Sequence, residues 1–328
     1  MSAKKRRRRR PATTPGQPVA VGTDDATEAD DGAVEEQGEA VENPPVPGIL
    51  SALRTALLAV TTAPLLLAIP FLFVFLLWTV LVLLGLQVPP SGLVDAMGIP
   101  PISTVFDFGV AQAIFGYAPS SLLLAFVIAV ARAVVLAILS GLMIDVLEGS
   151  KPSMYGLLRG IRAIPTVVAA NFLIITATVF GTQLFVLLGP GLSLLGSLAV
   201  LIGGLYFLVF APASAVREGR NIQESIRRSG RAARLRFPGG SHLIMVMAYF
   251  LVGLPLLLFA AGRVPGGADA TANPSIAVWA MVLIATFVHM VFLAAFYARF
   301  MGVEPDIPDK PVRRQRPARG AQPPARRR

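Results

Sequence analysis

The sequence predicts an all-α fold: a polytopic integral membrane bundle of six transmembrane helices between disordered N- and C-terminal tails. Three observations carry that expectation. Of the 328 residues 54% are hydrophobic and only 15% charged, where soluble domains carry about a quarter. The apolar residues come in long uninterrupted blocks. About 18 or more such residues can cross a bilayer as a helix, the element that satisfies its own backbone polar groups in lipid. The cations are also displaced to one side. When the chain is threaded six times, all of its 29 Lys and Arg residues except Arg132 and Arg263 share the side of the two termini. The positive-inside rule makes that side cytoplasmic, so a multi-pass protein of a prokaryotic plasma membrane with both ends inside is expected.

Residues 1–47 read as a disordered tail. It opens on Lys4, Lys5 and five arginines at 6–10, then turns acidic and rich in Pro, Gly and Ala over 24–42 without an aromatic residue. It holds too little apolar surface to offset chain entropy. A cleavable signal peptide would place its apolar core much nearer the start, so the first span is expected to stay in the mature protein.

Residues 48–302 form the membrane domain, with spans at about 62–86, 120–146, 165–188, 192–215, 243–262 and 275–299. Pro70 and Pro255 fall inside spans, where proline frees a carbonyl and favours a kink. The first external loop, 87–119, carries Asp95 and Asp107 and no cation. Its segment ISTVFDFGVAQAIFGY is expected to lie along the outer surface as a short helix. Pro119 suits the first turn of span two. Gly189-Pro190-Gly191 marks a tight turn between spans three and four, and Asn273-Pro274 suits the start of span six. The pair Gly203-Gly204 reads as a helix-packing site. Residues 303–328 return to a Pro- and Arg-rich disordered tail.

The segment NIQESIRRSGRAARLRF is the most patterned of the internal loops. Asn221 and Glu224 have capping-box spacing. Ile222, Ile226, Ala233 and Phe237 can share one helical face, with Arg227, Arg228, Arg231, Arg234 and Arg236 spread over the rest. A basic amphipathic helix of this kind suits an anionic membrane surface; the alternative is an ordinary positive-inside loop. A weaker pattern places an Arg-bearing segment and a proline before three of the spans: ILSALRTALLAVTTAP, MYGLLRGIRAIP and ESIRRSGRAARLRFP. It fits a threefold repeat of a leading helix followed by a membrane hairpin.

Over about 155–240 the chain resembles a broad group of poorly characterised prokaryotic multi-span proteins. That group includes the membrane domain attached to some glycerophosphoryl diester phosphodiesterases. The resemblance rests on a span ending in a small-residue turn with Pro212 and Ala213, a charged link with Glu218, and the helix Ser225-Ile226-Arg227-Arg228-Ser229. It implies an all-helical membrane domain. It does not carry over a phosphodiesterase activity, because no hydrolase domain accompanies it.

No catalytic constellation stands out. The chain lacks cysteine, which excludes thiolate chemistry and sulfur-ligated metals. It has neither a nucleophile elbow nor a phosphate-binding loop, so no enzyme activity, cofactor or metal is expected. Asp145 and Glu148, three residues apart, read as a solvated interfacial pair. His242 starts span five, and His289 lies deep in span six.

Arg132 stands near the middle of span two. A charge there costs about 2.5–3.5 kcal/mol on insertion scales, so it is expected to face the bundle interior. Ser121, Ala125, Ala129, Ala133, Ala137 and Gly141 recur every fourth residue, a ridge that lets helices approach closely. Arg132 sits beside that ridge. Its available acceptors are the Leu66 carbonyl freed by Pro70, then Asn171, Thr176 and a neutral His289. A buried tie between spans is the expected role.

The expected function is non-enzymatic: organising membrane lipids through anionic headgroups, or other membrane proteins, at a basic cytoplasmic face. The alternative is a small-solute or ion transporter or channel that uses Arg132 and His289. The arginine tails would bind nucleic acid only indiscriminately, and no aromatic residue interleaves the N-terminal tract.

Overall fold

A computed structural model describes residues 46–85, 99, 119–186, 189–219, 221–235, 240–262 and 276–307; every longer element among them is an α-helix. In chain order these are α1 (Ile49–Thr62), α2 (Leu65–Leu83), α3 (Pro119–Leu147), α4 (Met154–Val186), α5 (Pro190–Leu208), α6 (Ala211–Glu218), α7 (Ile222–Arg234), α8 (Ser241–Gly262) and α9 (Ile276–Val303). A 3-10 turn, Glu304–Asp306, follows. Apart from residues 46–47 and 303–307, the expected tails lie outside the described residues.

Five helical stretches among the described residues are long and apolar enough to cross a membrane: Leu65–Leu83, Leu123–Leu147, Met154–Ile174, Leu198–Glu218 and Ile276–Val303. The sixth expected span falls on α8, whose apolar stretch Ser241–Val252 is shorter.

Prolines place the boundaries differently from the sequence reading in two places. The leading segment before span three is continuous with it, because Pro165 lies inside α4. The carbonyl it leaves unbonded belongs to Ile161, and both residues are exposed, where the loss is cheapest. Span four is broken instead. α5 stops at Leu208 and α6 restarts at Ala211 with Pro212 in its first turn, so the Leu208 carbonyl meets no N–H four residues on. The expected turn at 189–191 holds: Gly189 takes φ 105, open to glycine alone without strain, and Pro190 opens α5.

α3 and α4 cross at close range. Ala133, Ala137 and Gly141 are buried along the ridge expected from the sequence. Opposite them on α4 stand Gly156, Gly160 and Ala163, also buried. A Cβ on Gly160 would sit 2.6 Å from the Ala137 carbonyl oxygen and 2.8 Å from the Ile138 Cα. A Cβ on Gly141 would come within 2.8 Å of the Gly160 nitrogen. At Gly203, read from sequence as a packing site, a Cβ would meet nothing within 4 Å.

Buried polar pairs tie α9 to α3 and to α8. The Tyr297 and Ser140 hydroxyls lie 2.7 Å apart between α9 and α3. Arg299 donates to the Ser241 carbonyl at 2.9 Å and to its hydroxyl at 2.6 Å, while Tyr249 reaches His289 at 2.8 Å. These two pairs set α8 antiparallel to α9. Gly302 at the end of α9 lies against Pro47, just ahead of α1, so the domain begins and finishes at one end of the bundle. Near the other end the chain's two tryptophans, Trp78 on α2 and Trp279 on α9, meet edge to face at 5.5 Å.

Candidate functional site

Two polar regions stand out from the apolar packing, one in mid-bundle and one at the end where the domain starts and finishes.

In mid-bundle, Arg132 is 1% exposed. It shares a helical face of α3 with Ala129 and Leu136, three residues before it and four after. Asn171 of α4, 3% exposed, borders one cavity with Ala129 and Val130 and another with Leu136. It therefore faces the stretch of α3 that carries Arg132. His289 is fully buried on α9. The Tyr249 hydroxyl accepts the Ile99 N–H at 3.0 Å and lies 2.8 Å from His289 Nδ1. His289 Nε2 has no hydrogen-bond partner among the described residues.

Of the loop 87–119 the structure describes Ile99 and Pro119. The segment expected to form a surface helix lies outside the described residues. Ile99 is 2% exposed and packs beside Leu136, Asn171 and Leu293. Leu136 and Leu293 are about ten residues, roughly 15 Å of helix, from the charged ends of α3 and α9. Ile99 therefore lies deep in the bundle.

The second region is an ionic network. Asp145 on α3 pairs with Arg159 of α4 and accepts the Ser153 N–H at 3.1 Å and its hydroxyl at 2.5 Å. Arg159 also reaches Glu148 at 3.3 Å. Glu148 meets Arg217 of α6 at 3.4 Å, and Arg217 meets Glu304 after α9 at 2.7 Å. Arg228 of α7 pairs with Glu218 and approaches Glu304 at 4.0 Å. Asp145 is only 3% exposed, so the solvated-pair reading fails for it. The acid is buried because Arg159 and the start of α4 fold over it.

α7 forms where expected, with Asn221 Oδ1 accepting the Glu224 N–H at 3.0 Å. Glu224 also pairs with Arg231 at 3.3 Å. The buried face differs from the sequence reading. Ser225, Arg228, Ser229, Ala232 and Ala233 point inward, while Ile222 is exposed. Ser229 donates to the Phe207 carbonyl at 2.6 Å, and the Tyr206 hydroxyl to the Ala233 carbonyl at 2.7 Å. Small side chains win this face because they let α7 lie close enough for these hydroxyls to reach backbone carbonyls. Arg228, expected among the surface cations, is 6% exposed and held by acids. Arg227 and Arg234 are exposed and Arg231 half-buried; Arg234 also lies 5.8 Å over the Phe207 ring. Arg236 lies outside the described residues.

The partners Glu218, Arg217 and Glu304 were not singled out as a set by sequence reasoning, since Glu304 lies far from the other two in the chain. A usable signal existed in Tyr249 and Tyr297, polar-tipped aromatics inside apolar spans that need a partner when buried. The residues that carry the family resemblance do physical work here. Pro212 and Ala213 are buried at the start of α6, Glu218 grips Arg228, and Ser225 and Ser229 sit in the α7 contact. Compared with protein-family models, curated proteins and solved structures, the chain finds no match.

Proposed function

We propose that this chain is a non-enzymatic integral membrane protein that crosses the plasma membrane six times and organises anionic lipid, or partner proteins, at a basic cytoplasmic face. One observation carries the reading. Apart from Arg132, every Lys, Arg, Asp and Glu among the described residues lies on α1, near the α3–α4 turn, in 217–234 or at the end of α9. Contacts at Pro47–Gly302 and within the ionic network join these segments at one end. Among the described residues this distribution leaves a slab whose one charged residue is Arg132 and a cationic rim at one end, the pattern of the positive-inside rule. Start and finish at one end demand an even number of crossings, which supports counting α8 as a span. Trp78 and Trp279 near the far end suit an aromatic belt.

Within the rim the acids Asp145, Glu148, Glu218, Glu224 and Glu304 pair with Arg159, Arg217, Arg228 and Arg231. Arg227 and Arg234 remain outward on α7, and each cation near an anionic surface is worth about 1 kcal/mol. Replacing both by glutamine should therefore weaken the preference for phosphatidylglycerol over phosphatidylcholine by roughly 30-fold, read by native mass spectrometry of protein released from nanodiscs. An unchanged preference would remove the lipid-facing role.

A second reading, a transporter or channel using Arg132 and His289, is favoured by the depth of Ile99. Non-helical backbone at membrane depth persists only where protein buries it or a cavity runs beside it, a feature of many transporters. Ion or solute flux into proteoliposomes that disappears with His289→Leu separates this reading from the first.

A further inference from the structure

Asn171 has a buried carboxamide nitrogen with no hydrogen-bond partner among the described residues. It borders a cavity of about 10 Å³ shared with Ile99, Leu136, Leu208, Pro212 and Leu293. One water needs roughly 10–15 Å³ of such space. Leu208 also lines the cavity, and Pro212 supplies no N–H to its carbonyl one turn back, where α5 breaks from α6. Asn171 and Leu208 thus border one space of the right size, in a region otherwise lined by apolar side chains.

We propose that this cavity is a built site for a single water molecule, which accepts from the Asn171 Nδ2–H and donates to the Leu208 carbonyl. Water fits the chemistry better than an ion. A carboxamide presents both a donor and an acceptor edge, and water matches either. Cavities lined only by carbon stay dry, whereas a buried polar group without a partner recruits water. The water joins α4 to the α5–α6 break in mid-bundle, beside the Ile99 whose N–H bonds Tyr249. The site is independent of the lipid-facing role of α7.

The test uses the full-length protein in lipid nanodiscs with ¹⁵N-labelled asparagine. The Asn171 side-chain resonances are assigned by their loss in Asn171→Leu. The expected result is a cross-peak between water and the Asn171 amide protons with the sign of a long-lived bound water. In Ala170→Val, which adds methyl groups to the lining of the same cavity, the Asn171 resonances should persist while the water cross-peak falls at least fivefold. Absence of the cross-peak in the unaltered protein overturns the proposal. Its persistence at full strength in Ala170→Val also does so.

Discussion

Gly160→Val should leave little folded protein. A Cβ at this position would lie 2.6 Å from the Ala137 carbonyl oxygen and 2.8 Å from the Ile138 Cα. Both obstacles are backbone, so no rotamer change relieves them and α3 must move off α4. Overpacking costs about 1–3 kcal/mol in ordinary cores, occasionally more, against a total stability of about 5–15 kcal/mol. The move also separates the buried Asp145–Arg159 pair, which joins the same two helices, so the expected loss is at the top of that range or beyond it. Size-exclusion profiles of detergent extracts should show aggregate in place of a single peak. Gly203→Ala is the internal control: its Cβ has open space, and alanine is the better helix former by about 1 kcal/mol. Its melting temperature should stay or rise slightly. A Gly160→Val protein that melts like the parent would show that α3 and α4 do not cross here.

Asp145→Asn carries the second large effect. The substitution keeps the shape of the side chain and removes its charge. Arg159 then loses its closest counterion, and the Ser153 N–H and hydroxyl face a weaker acceptor. Removing one partner of a buried pair costs about 3–5 kcal/mol. Glu148→Gln touches the same arginine from a more exposed position, its side chain 35% accessible, and surface pairs contribute about 0–1 kcal/mol. Denaturant titration in micelles should separate the two variants clearly. The double variant Asp145→Asn with Arg159→Met should recover part of the loss, because no buried charge is left without its partner. Equal small effects for Asp145 and Glu148 would contradict the buried pairing.

What the sequence made legible follows from periodicity and local chemistry. Apolar block length gave the helices, the fourfold spacing from Ala125 to Gly141 gave the packed ridge, and Asn221 three residues before Glu224 gave the α7 cap. The glycine beside Pro190 gave the turn. These features depend on residues within a few turns of one another. The features that escaped notice depend on tertiary neighbours. Whether Pro165 breaks a helix is decided by what surrounds the freed carbonyl, and here both residues concerned are exposed. Whether Arg228 faces lipid or protein is decided by Glu218 and Glu304, and Glu304 is more than seventy residues away in the chain. The inward face of α7 was misread because apolarity was taken as the mark of burial. Ser225, Ser229 and Ala232 are buried for their small size. Ile99 had no local signal, since a lone isoleucine between glycine and proline reads as loop whether it lies outside the bundle or within it.

The arrangement of the bundle in the membrane is most directly tested by labelling single cysteines. The chain has none of its own, so no background must be removed. Ser150→Cys places a thiol on the exposed turn after α3, at the charged end, and Leu84→Cys places one on the exposed end of α2 opposite. With a membrane-impermeant maleimide on intact cells, Cys at 84 should react at once and Cys at 150 only after lysis. Reaction at 150 in intact cells, or recovery of the protein in the soluble fraction without detergent, would contradict a bundle that keeps its cationic rim in the cytoplasm.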